Sequence, residues 1–324
     1  MNRSLGSAVV HQLTGSAPSL VTLSNGEVAQ VFWVTIEGPI GAGKTELTKV
    51  LVPRLEAEFG KDRIFFVPEP IEELMQDGLF QRYQRDPARW AFEFQTTCFD
   101  LRTDYFNAGW DAMCEKLAQQ GRVPQDGLSG RKTAILISER SIVSDTCFMR
   151  VQYRQGHCDE DTLNRYLKLN AKWRALYKGI APGLVIYCRA GADMDKIVDL
   201  CQQRIHERKR EAEEDLVTPE YNRCVLEEHE RLFGPAHGAI FFASGFAKEV
   251  LAIPVITVDT TENYRDDPSV ALKKSGELLD VIRLAVQSMP EVEPIVRLDR
   301  GIVEERTLLG GAGPVYVDVS ESSQ

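Results

Sequence analysis

The sequence predicts an α/β fold in which a five-stranded parallel sheet carries helices on both faces. Short apolar runs without polar alternation are typical of strands that are buried on both faces. Five such runs lie near residues 31–36, 64–67, 134–137, 184–188 and 253–258. Segments with apolar residues three and four positions apart, as in amphipathic helices, separate these runs. Strands that alternate with helices are joined by crossover connections, which produce a parallel sheet.

Helical spacing covers most of the chain between the runs. We expect a break at Gly78 in the second helix and a bend or a weak point at Pro53 in the first. Helices are predicted near residues 44–59, 71–85, 88–120, 142–155, 160–178, 193–210, 219–233 and 268–288.

Composition and the two ends of the chain suggest one large domain. Residues 30–289 hold all the predicted strands and helices. Residues 1–29 are rich in Ser, Gly and Thr, which favours a mobile N-terminal arm. Residues 290–324 form a C-terminal extension whose role the sequence does not indicate.

Bulk properties exclude several classes of protein. A net charge of −10 argues against broad nucleic-acid binding, which relies on a basic surface. No run of 18 apolar residues and no signal segment is present, so we expect no membrane span and a cytoplasmic location. The seven cysteines form no C-x-x-C pair, which is typical of reduced thiols, and the five histidines lack metal-ligand spacing.

A glycine-rich loop directly after the first strand fits the phosphate-loop pattern G-x-x-x-x-G-K-[ST]. Gly38, Gly41 and Gly43 allow successive backbone N–H groups to turn inward around a triphosphate. Lys44 would reach the β- and γ-phosphates, and the Thr45 hydroxyl would bind Mg²⁺. The helix that begins at Lys44 points its positive dipole end at the same anion.

Charged residues follow the second and third predicted strands. Because ligands bind beyond the carboxyl ends of parallel strands, Glu69, Glu139 and Arg140 should converge with the phosphate loop. A kinase needs a group for the attacking hydroxyl, metal ligands, and cations on the phosphoryl group. Glu69 suits the first role and Glu139, with Thr45, the second. Lys44 and Arg140 suit the third. The alternatives are a helix-capping Glu69 and a surface pair of Glu139 with Arg140.

The long predicted helix carries candidate contacts to a nucleobase. Gln95 and Arg102 lie seven residues apart and share one face of the helix. A carboxamide offers a donor and an acceptor together, which suits the edge of a base. Arg102 could pair with Asp145 beside the same base. The alternative for Arg102 is a solvated charge on the helix surface.

Three arginines near residue 207 suggest a cationic lid that closes over a nucleotide. Arg204 and Arg208 lie at i, i+4 on one helical face, and Arg210 joins them only if the chain leaves the helix there. The alternative is an exposed, charged helix.

These motifs, taken in order, resemble the deoxyribonucleoside kinases, in particular the branch with deoxycytidine, deoxyguanosine and deoxyadenosine kinases. The resemblance covers about residues 31–264 and rests on six motifs. They are IEGPIGAGKT, PEP at 68–70, RWAFEFQ at 89–95, SERS at 138–141, the three arginines, and IPVITVDTTENY at 253–264. It implies a P-loop NTPase-type fold with an arginine-rich lid, ATP as phosphoryl donor with Mg²⁺, a deoxyribonucleoside as acceptor, and a homodimer.

The resemblance also implies roles for individual residues. Glu69 would be the general base for the 5′-hydroxyl, with Arg140 as its partner near the phosphate. Gln95 would bond the base, and Tyr83 with Glu214 would hold the 3′-hydroxyl. The thymidine-preferring branch has a small residue where this chain has Asp145. Herpesvirus-type thymidine kinases carry Asp-Arg-His where this chain has Glu-Arg-Ser at 139–141. Both differences favour deoxycytidine or a purine deoxynucleoside over thymidine.

Three features depart from the family pattern. Pro39 removes one backbone N–H from the loop, Glu46 adds a negative charge beside the phosphates, and Tyr83 is one residue farther than usual from Gln95. The rival interpretations are a nucleoside monophosphate kinase, against which Glu69 argues, and a catalytically silent, kinase-like subunit.

Overall fold

A computed structural model describes residues 19–76, 78–120, 132–176, 181–209, 217–236, 239–243, 250–262 and 267–287. The strands are β1 (Ser19–Thr22), β2 (Val28–Glu37), β3 (Ile64–Val67), β4 (Lys132–Glu139), β5 (Leu184–Arg189), β6 (Ala239–Ala243) and β7 (Val250–Asp259). The helices are α1 (Lys44–Phe59), α2 (Ile71–Gln76), α3 (Leu79–Arg85), α4 (Pro87–Gln119), α5 (Ile142–Arg154), α6 (Glu160–Leu176), α7 (Met194–Arg208), α8 (Pro219–Phe233) and α9 (Pro268–Gln287).

The strands form one mostly parallel sheet around β2, which is buried along nearly its whole length. Its neighbours give the order β3-β4-β2-β5-β7, and every pair in that series is parallel. The predicted α/β fold with five parallel strands is therefore confirmed. Two further strands were not predicted: β1 pairs antiparallel with the start of β2, and β6 pairs antiparallel with β7.

Strand β1 corrects the prediction for residues 1–29. Ser19 pairs with Val31, and the register continues to Thr22 opposite Val28. The adjacent Leu23 is 3% exposed and belongs to the apolar cluster beneath α4. The described part of the predicted mobile arm, residues 19–29, thus contains β1, a turn and the start of β2. Residues 1–18 and the extension at 290–324 lie outside the described residues.

Two apolar layers cover the two faces of the sheet. On one face α1 and α9 pack on β2, and Leu47, Leu51 and Ile282 are fully buried there. On the other face α4 contributes Met113 and Leu117. This arrangement places helices on both faces, as the apolar runs predicted.

The helix bounds agree with the predicted ones to within a few residues. Gly78 separates α2 from α3 as expected, and Pro53 lies inside α1. Within the described ranges, no helix is both long and apolar enough to cross a membrane.

Candidate active site

The loop between β2 and α1 has a backbone that only glycine fits well. Gly41 and Gly43 have φ values of 84° and 88°, in the left-handed region. A Cβ atom on Gly41 would lie 2.6 Å from the carbonyl oxygen of Cys201 in α7. One on Gly38 would lie 2.7 Å from the carbonyl of Cys188 at the end of β5. The loop is therefore packed tightly against two other elements, with the N-terminus of α1 beside it.

Lys44 is buried at the start of α1 and closes back over the loop. Its Nζ donates to the carbonyl oxygens of Gly38, at 3.2 Å, and Pro39, at 3.0 Å. Burial and the nearby Arg140 lower the pKa of Lys44 to about 8, although neighbouring carboxylates oppose the shift. The ammonium group thus lies where a bound phosphate would exchange these carbonyl contacts for stronger, charge-assisted ones.

Thr45 and Glu139 bring oxygen atoms together beside the loop. The Thr45 hydroxyl donates to Glu139 Oε2 at 3.2 Å, and the Thr48 hydroxyl donates to Glu139 Oε1 at 2.8 Å. No group of three or more metal-binding side chains exists among the described residues. One carboxylate and one hydroxyl next to a phosphate site fit Mg²⁺, which takes its other ligands from phosphates and water.

Glu69 follows β3 and faces two guanidinium groups. Its Oε1 lies 2.9 Å from Arg140 Nε and accepts from Arg102 Nη1 at 3.3 Å. Burial alone would raise the pKa of Glu69, but Arg140, Arg102 and Lys44 outweigh it and hold the value at about 2. Glu69 is therefore an ionised carboxylate at neutral pH, and it is not a surface helix cap.

The predicted pair of Arg102 and Asp145 is present and buried. Arg102 Nε lies 3.0 Å from Oδ1 and 3.1 Å from Oδ2 of Asp145. Arg102 is 7% exposed, so it is not the solvated helix charge of the alternative interpretation. Gln95 lies on the same face of α4 and is also buried.

One cavity of about 260 Å³ is lined by Thr45, Glu69 and Arg140 among these groups, whereas Glu139 is not part of its lining. The phosphate loop and Lys44 line one end, and Gln95, Arg102 and Asp145 line the other. Apolar side chains complete its wall, among them Leu74, Phe80, Phe94, Phe148 and Val217. A polar loop at one end and an apolar slot with a few polar groups at the other suit a triphosphate and a flat aromatic ring.

Two of the three predicted lid arginines belong to this cavity. Arg204 Nη2 donates to the carbonyl of Thr260 at 2.6 Å, and its Nη1 donates to the carbonyl of Gly41 at 3.4 Å. Arg208 also lines the cavity. Arg210, like Glu214, lies outside the described residues.

Comparison with known proteins identifies the family. The family model for deoxynucleoside kinases matches residues 34–275 of the 324. The chain belongs to the deoxynucleoside kinase family. The predicted resemblance and the prediction of a kinase are therefore confirmed.

Two individual proteins are also similar to this deoxynucleoside kinase. A probable deoxycytidine kinase of fowlpox virus (strain NVSL) is 26% identical over 235 residues, which cover 72% of this chain and 81% of the viral protein. A structure of deoxyadenosine kinase from M. mycoides, with the products dCMP and a flexible dCDP bound, is 18% identical with a TM-score of 0.49. That match covers 76% of this chain and 99% of the other.

Tyr83 does not line the cavity of this kinase. It is 1% exposed and stacks on Phe94, with ring centroids 4.5 Å apart. Its hydroxyl hydrogen-bonds with Gln152 and with Tyr221 of α8. Phe94 and Tyr221, which Tyr83 contacts, both line the cavity, and the role of Tyr83 at the 3′-hydroxyl stays a prediction.

Glu46, the unusual acidic residue of the first turn of α1, is paired with a cation. Lys49 Nζ donates to Glu46 Oε1 at 2.9 Å, and both side chains line the mouth of the cavity. The carboxylate is thereby partly neutralised before a nucleotide arrives.

Several residues that hold the site in place were not predicted from the sequence. The Thr260 hydroxyl donates to the carbonyl of Ala42 at 2.7 Å, and Asn222 Nδ2 donates to the carbonyl of Ile40 at 3.4 Å. His229 lies against Arg140 and is fully buried. The one available signal was the position of His229 on the apolar face of α8, but it does not reveal a partner 89 residues away.

Proposed function

We propose that this deoxynucleoside kinase transfers the γ-phosphoryl group of ATP to the 5′-hydroxyl of a deoxyribonucleoside. The observation that carries the proposal is the position of Glu69 within the cavity. Glu69 lies between Arg140, which contacts the phosphate loop, and Arg102, which contacts Asp145 at the other end. A hydroxyl bound against Glu69 would lie between the two ends of the cavity, where transfer requires it.

Glu69 would act mainly by orienting the hydroxyl. A carboxylate with a pKa of about 2 is a weak base, but it is always ionised and accepts a hydrogen bond from the nucleophile. The loose transition state of phosphoryl transfer needs little removal of the proton before the bond to phosphorus forms. Proton acceptance by Glu69 becomes easier once phosphoryl oxygens also contact Arg140 and compete with the carboxylate for its charge.

The donor end would stabilise the charge of the transferring group. Lys44 and Arg140 present cations beside the phosphate loop, and Arg204 and Arg208 line the same end. Thr45 and Glu139 would hold Mg²⁺, which when bound neutralises charge on the β- and γ-phosphates. Because Lys44 already contacts the loop carbonyls, it moves only a short distance to reach a phosphate.

We further propose that deoxycytidine or a purine deoxynucleoside is preferred over thymidine. The Arg102–Asp145 pair is held rigidly by two contacts, so it crowds the region where the 5-methyl group of thymine would lie. Gln95 offers a donor and an acceptor to the base edge. The similarity to a probable deoxycytidine kinase of fowlpox virus supports this preference.

One assay tests the reaction and the preference together. The purified chain is incubated with ATP and Mg²⁺ and, in turn, with each of the four deoxyribonucleosides and their monophosphates. We expect phosphorylation of deoxycytidine or a purine deoxynucleoside, with thymidine the poorest substrate. Thymidine as the best substrate would contradict the proposed pocket. Phosphorylation of monophosphates alone would favour a monophosphate kinase, and complete inactivity would favour a silent subunit.

The base preference gives a first variant test. Replacing the pair with Arg102→Met and Asp145→Ala should raise kcat/KM for thymidine relative to deoxycytidine, because space opens beside the base. The ratio of the two kcat/KM values is the measurement, since both substrates share any general loss of activity. An unchanged ratio would show that the pair does not select the base.

The role of Glu69 gives a second test. Glu69→Gln should lower kcat by about 100-fold or more, because a neutral amide cannot accept the proton and orients the hydroxyl less strongly. The KM for the nucleoside should change much less. Glu72→Gln, an exposed carboxylate in the first turn of α2, is the matched control and should retain its kcat. A near-normal kcat for Glu69→Gln would leave Glu69 without a role in the chemistry.

The oligomeric state remains a prediction. The family resemblance favours a homodimer, and size-exclusion chromatography with light scattering of the full chain would measure it.

A further inference from the structure

A fully buried histidine in α8 contacts the arginine that lies beside Glu69. His229 Nε2 is 3.2 Å from Arg140 Nη1, and His229 Nδ1 is 2.7 Å from the carbonyl oxygen of Val225. His229 does not line the cavity, and the mechanism proposed above does not use it. Its position is therefore explained neither by contact with substrate nor by exposure to solvent.

The two contacts determine the tautomer of the ring. A carbonyl oxygen can only accept, so Nδ1 carries the hydrogen and donates it to Val225. Nε2 then presents a lone pair, and Arg140 Nη1 donates to it. Burial and the charge of Arg140 lower the pKa of His229 well below its ordinary value, so the ring is neutral. His229 is thus a permanent acceptor for Arg140.

Arg140 has an unfavourable backbone conformation, so contacts with its surroundings must hold the residue in place. Its φ is 66°, in the left-handed region that a residue with a Cβ atom rarely adopts. Such a conformation persists where the surroundings over-determine it. The side chain has three polar partners: the carbonyl of Gly38 at 2.9 Å, Glu69 at 2.9 Å, and His229.

The three partners of Arg140 differ in whether they would contact the substrates. Gly38 belongs to the loop that would bind the triphosphate, and Glu69 would bind the hydroxyl. Both are drawn into new contacts when substrates arrive. His229 alone of the three belongs neither to the phosphate loop nor to the cavity lining. The hydrogen bond to the Val225 carbonyl fixes the orientation of its ring. Phe148 and Phe233 pack beside the ring, with centroids at 5.7 Å and 6.0 Å.

We propose that His229 is a positioning residue of this kinase, which holds the Arg140 guanidinium in place while Gly38 and Glu69 change partners. The proposal rests on the proposed function, because Arg140 matters only if it contacts the transferring group. The role is exerted through Arg140, since His229 itself cannot reach the substrates. It requires a neutral acceptor at this position and not merely a side chain that fills the space.

Three variants separate an acceptor from a packing role. His229→Leu fills the site without an acceptor and should lower kcat about tenfold or more, with KM for ATP and nucleoside changed less than about threefold. His229→Gln can present Oε1 to Arg140 and should restore most of the kcat. Phe233→Leu loosens the packing on the same ring and should lower the Tm while retaining kcat.

A double variant tests whether the effect passes through Arg140. His229→Leu added to Arg140→Gln should lower kcat little further, because the arginine that His229 holds is already absent. The proposal would be wrong if the kcat losses of the two single variants multiplied in the double variant. It would also be wrong if His229→Leu had a normal kcat, or if Phe233→Leu lowered kcat as much as His229→Leu does. Should the wild type phosphorylate no deoxyribonucleoside, the proposed function and this inference fail together. An active wild type with an unaffected His229→Leu removes this inference alone.

A measurement on the unaltered chain keeps the proposal testable if a variant does not fold. Nitrogen-15 NMR of the histidine rings should show His229 with a protonated Nδ1 and an unprotonated Nε2. A hydrogen on Nε2 would overturn the proposal, because the ring could then not accept from Arg140.

Discussion

Lys44 is buried and Glu69 is partly buried, and both have a lowered pKa, for different reasons. Burial lowers the pKa of Lys44 because it disfavours the ammonium ion. For Glu69 burial acts in the opposite direction, and three nearby cations outweigh it. The fold therefore holds a lysine whose charge is unfavourable and a carboxylate whose charge is strongly favoured. A bound triphosphate would remove the first penalty, which is one reason for the lysine to bind phosphate tightly.

This difference predicts how stability depends on pH. The pKa of Lys44 is about 8 in the fold and 10.5 ordinarily, so between these pH values the unfolded chain binds more protons and stability rises with pH. Relative to Lys44→Met, the free energy of unfolding of the wild type should therefore increase between pH 8 and 10.5. The increase should be at most about 3 kcal/mol. Urea unfolding of both proteins across this range measures it, and a constant difference would contradict the burial of the charge.

Residue types and spacings predicted part of the site. The two-turn spacing of Gln95 and Arg102, and the carboxylate one turn into α5, led to the Arg102–Asp145 pair because helical geometry is local. The contact between Arg140 and His229 could not be predicted, since it depends on how α8 docks on the end of β4. That Tyr83 does not line the cavity could not be predicted either, because its distance from the cavity depends on the packing of α3 on α4.

At the scale of elements, residues of α7, of α8 and of the segment after β7 contact the phosphate loop. The carbonyl of Cys201 in α7 approaches Gly41, Asn222 in α8 binds the carbonyl of Ile40, and Thr260 after β7 binds the carbonyl of Ala42. These contacts fix the direction of the loop N–H groups before a nucleotide binds.

The fit of the loop against α7 can be tested at Gly41. Gly41→Ala should lower stability and raise the KM for ATP at least about fivefold, because the new Cβ meets the carbonyl of Cys201 at 2.6 Å. Gly26→Ala is the matched control, since Gly26 has nearly the same φ, 82°, and open space around its missing Cβ. It should lower stability by about 1 kcal/mol and leave the KM for ATP unchanged. Equal effects of the two variants would show that only backbone strain matters.

The elements themselves were largely predictable, and the exceptions have a physical cause. Long helices and buried strands carry their own periodicity, and caps such as Asp193 and Thr218 mark where helices begin. Strands β1 and β6 have four and five residues and pair antiparallel at the sheet periphery. Such short segments have no periodicity of their own, so only the pairing partner makes them strands.

For the whole molecule, strand β1 extends the fold to residues that the composition alone assigned to a mobile arm. Leu23, just after β1, lies in the apolar layer with Met113 and Leu117 of α4. This segment therefore joins the core that covers one face of the sheet.

A pair of neighbouring variants tests this extension. Leu23→Ala should lower the free energy of unfolding by about 2–4 kcal/mol, because it leaves a cavity in a buried layer. Thr22→Ala, at an exposed position next to it, should change the value by less than about 0.5 kcal/mol. Denaturant titration measures both. If Leu23→Ala hardly changed the free energy of unfolding, the predicted mobile arm would be the better description of this segment.

Arg102 contacts Asp145 with Nε and Glu69 with Nη1, so one guanidinium joins the proposed base site to the proposed hydroxyl site. This sharing limits how the enzyme can be redesigned. If the proposed function holds, a substitution of Arg102 that alters the choice of base would also remove a cation from Glu69, so substrate choice and turnover should change together. Laboratory evolution toward a new nucleoside should therefore select compensating mutations around Glu69, and natural relatives with other preferences should differ at both ends together.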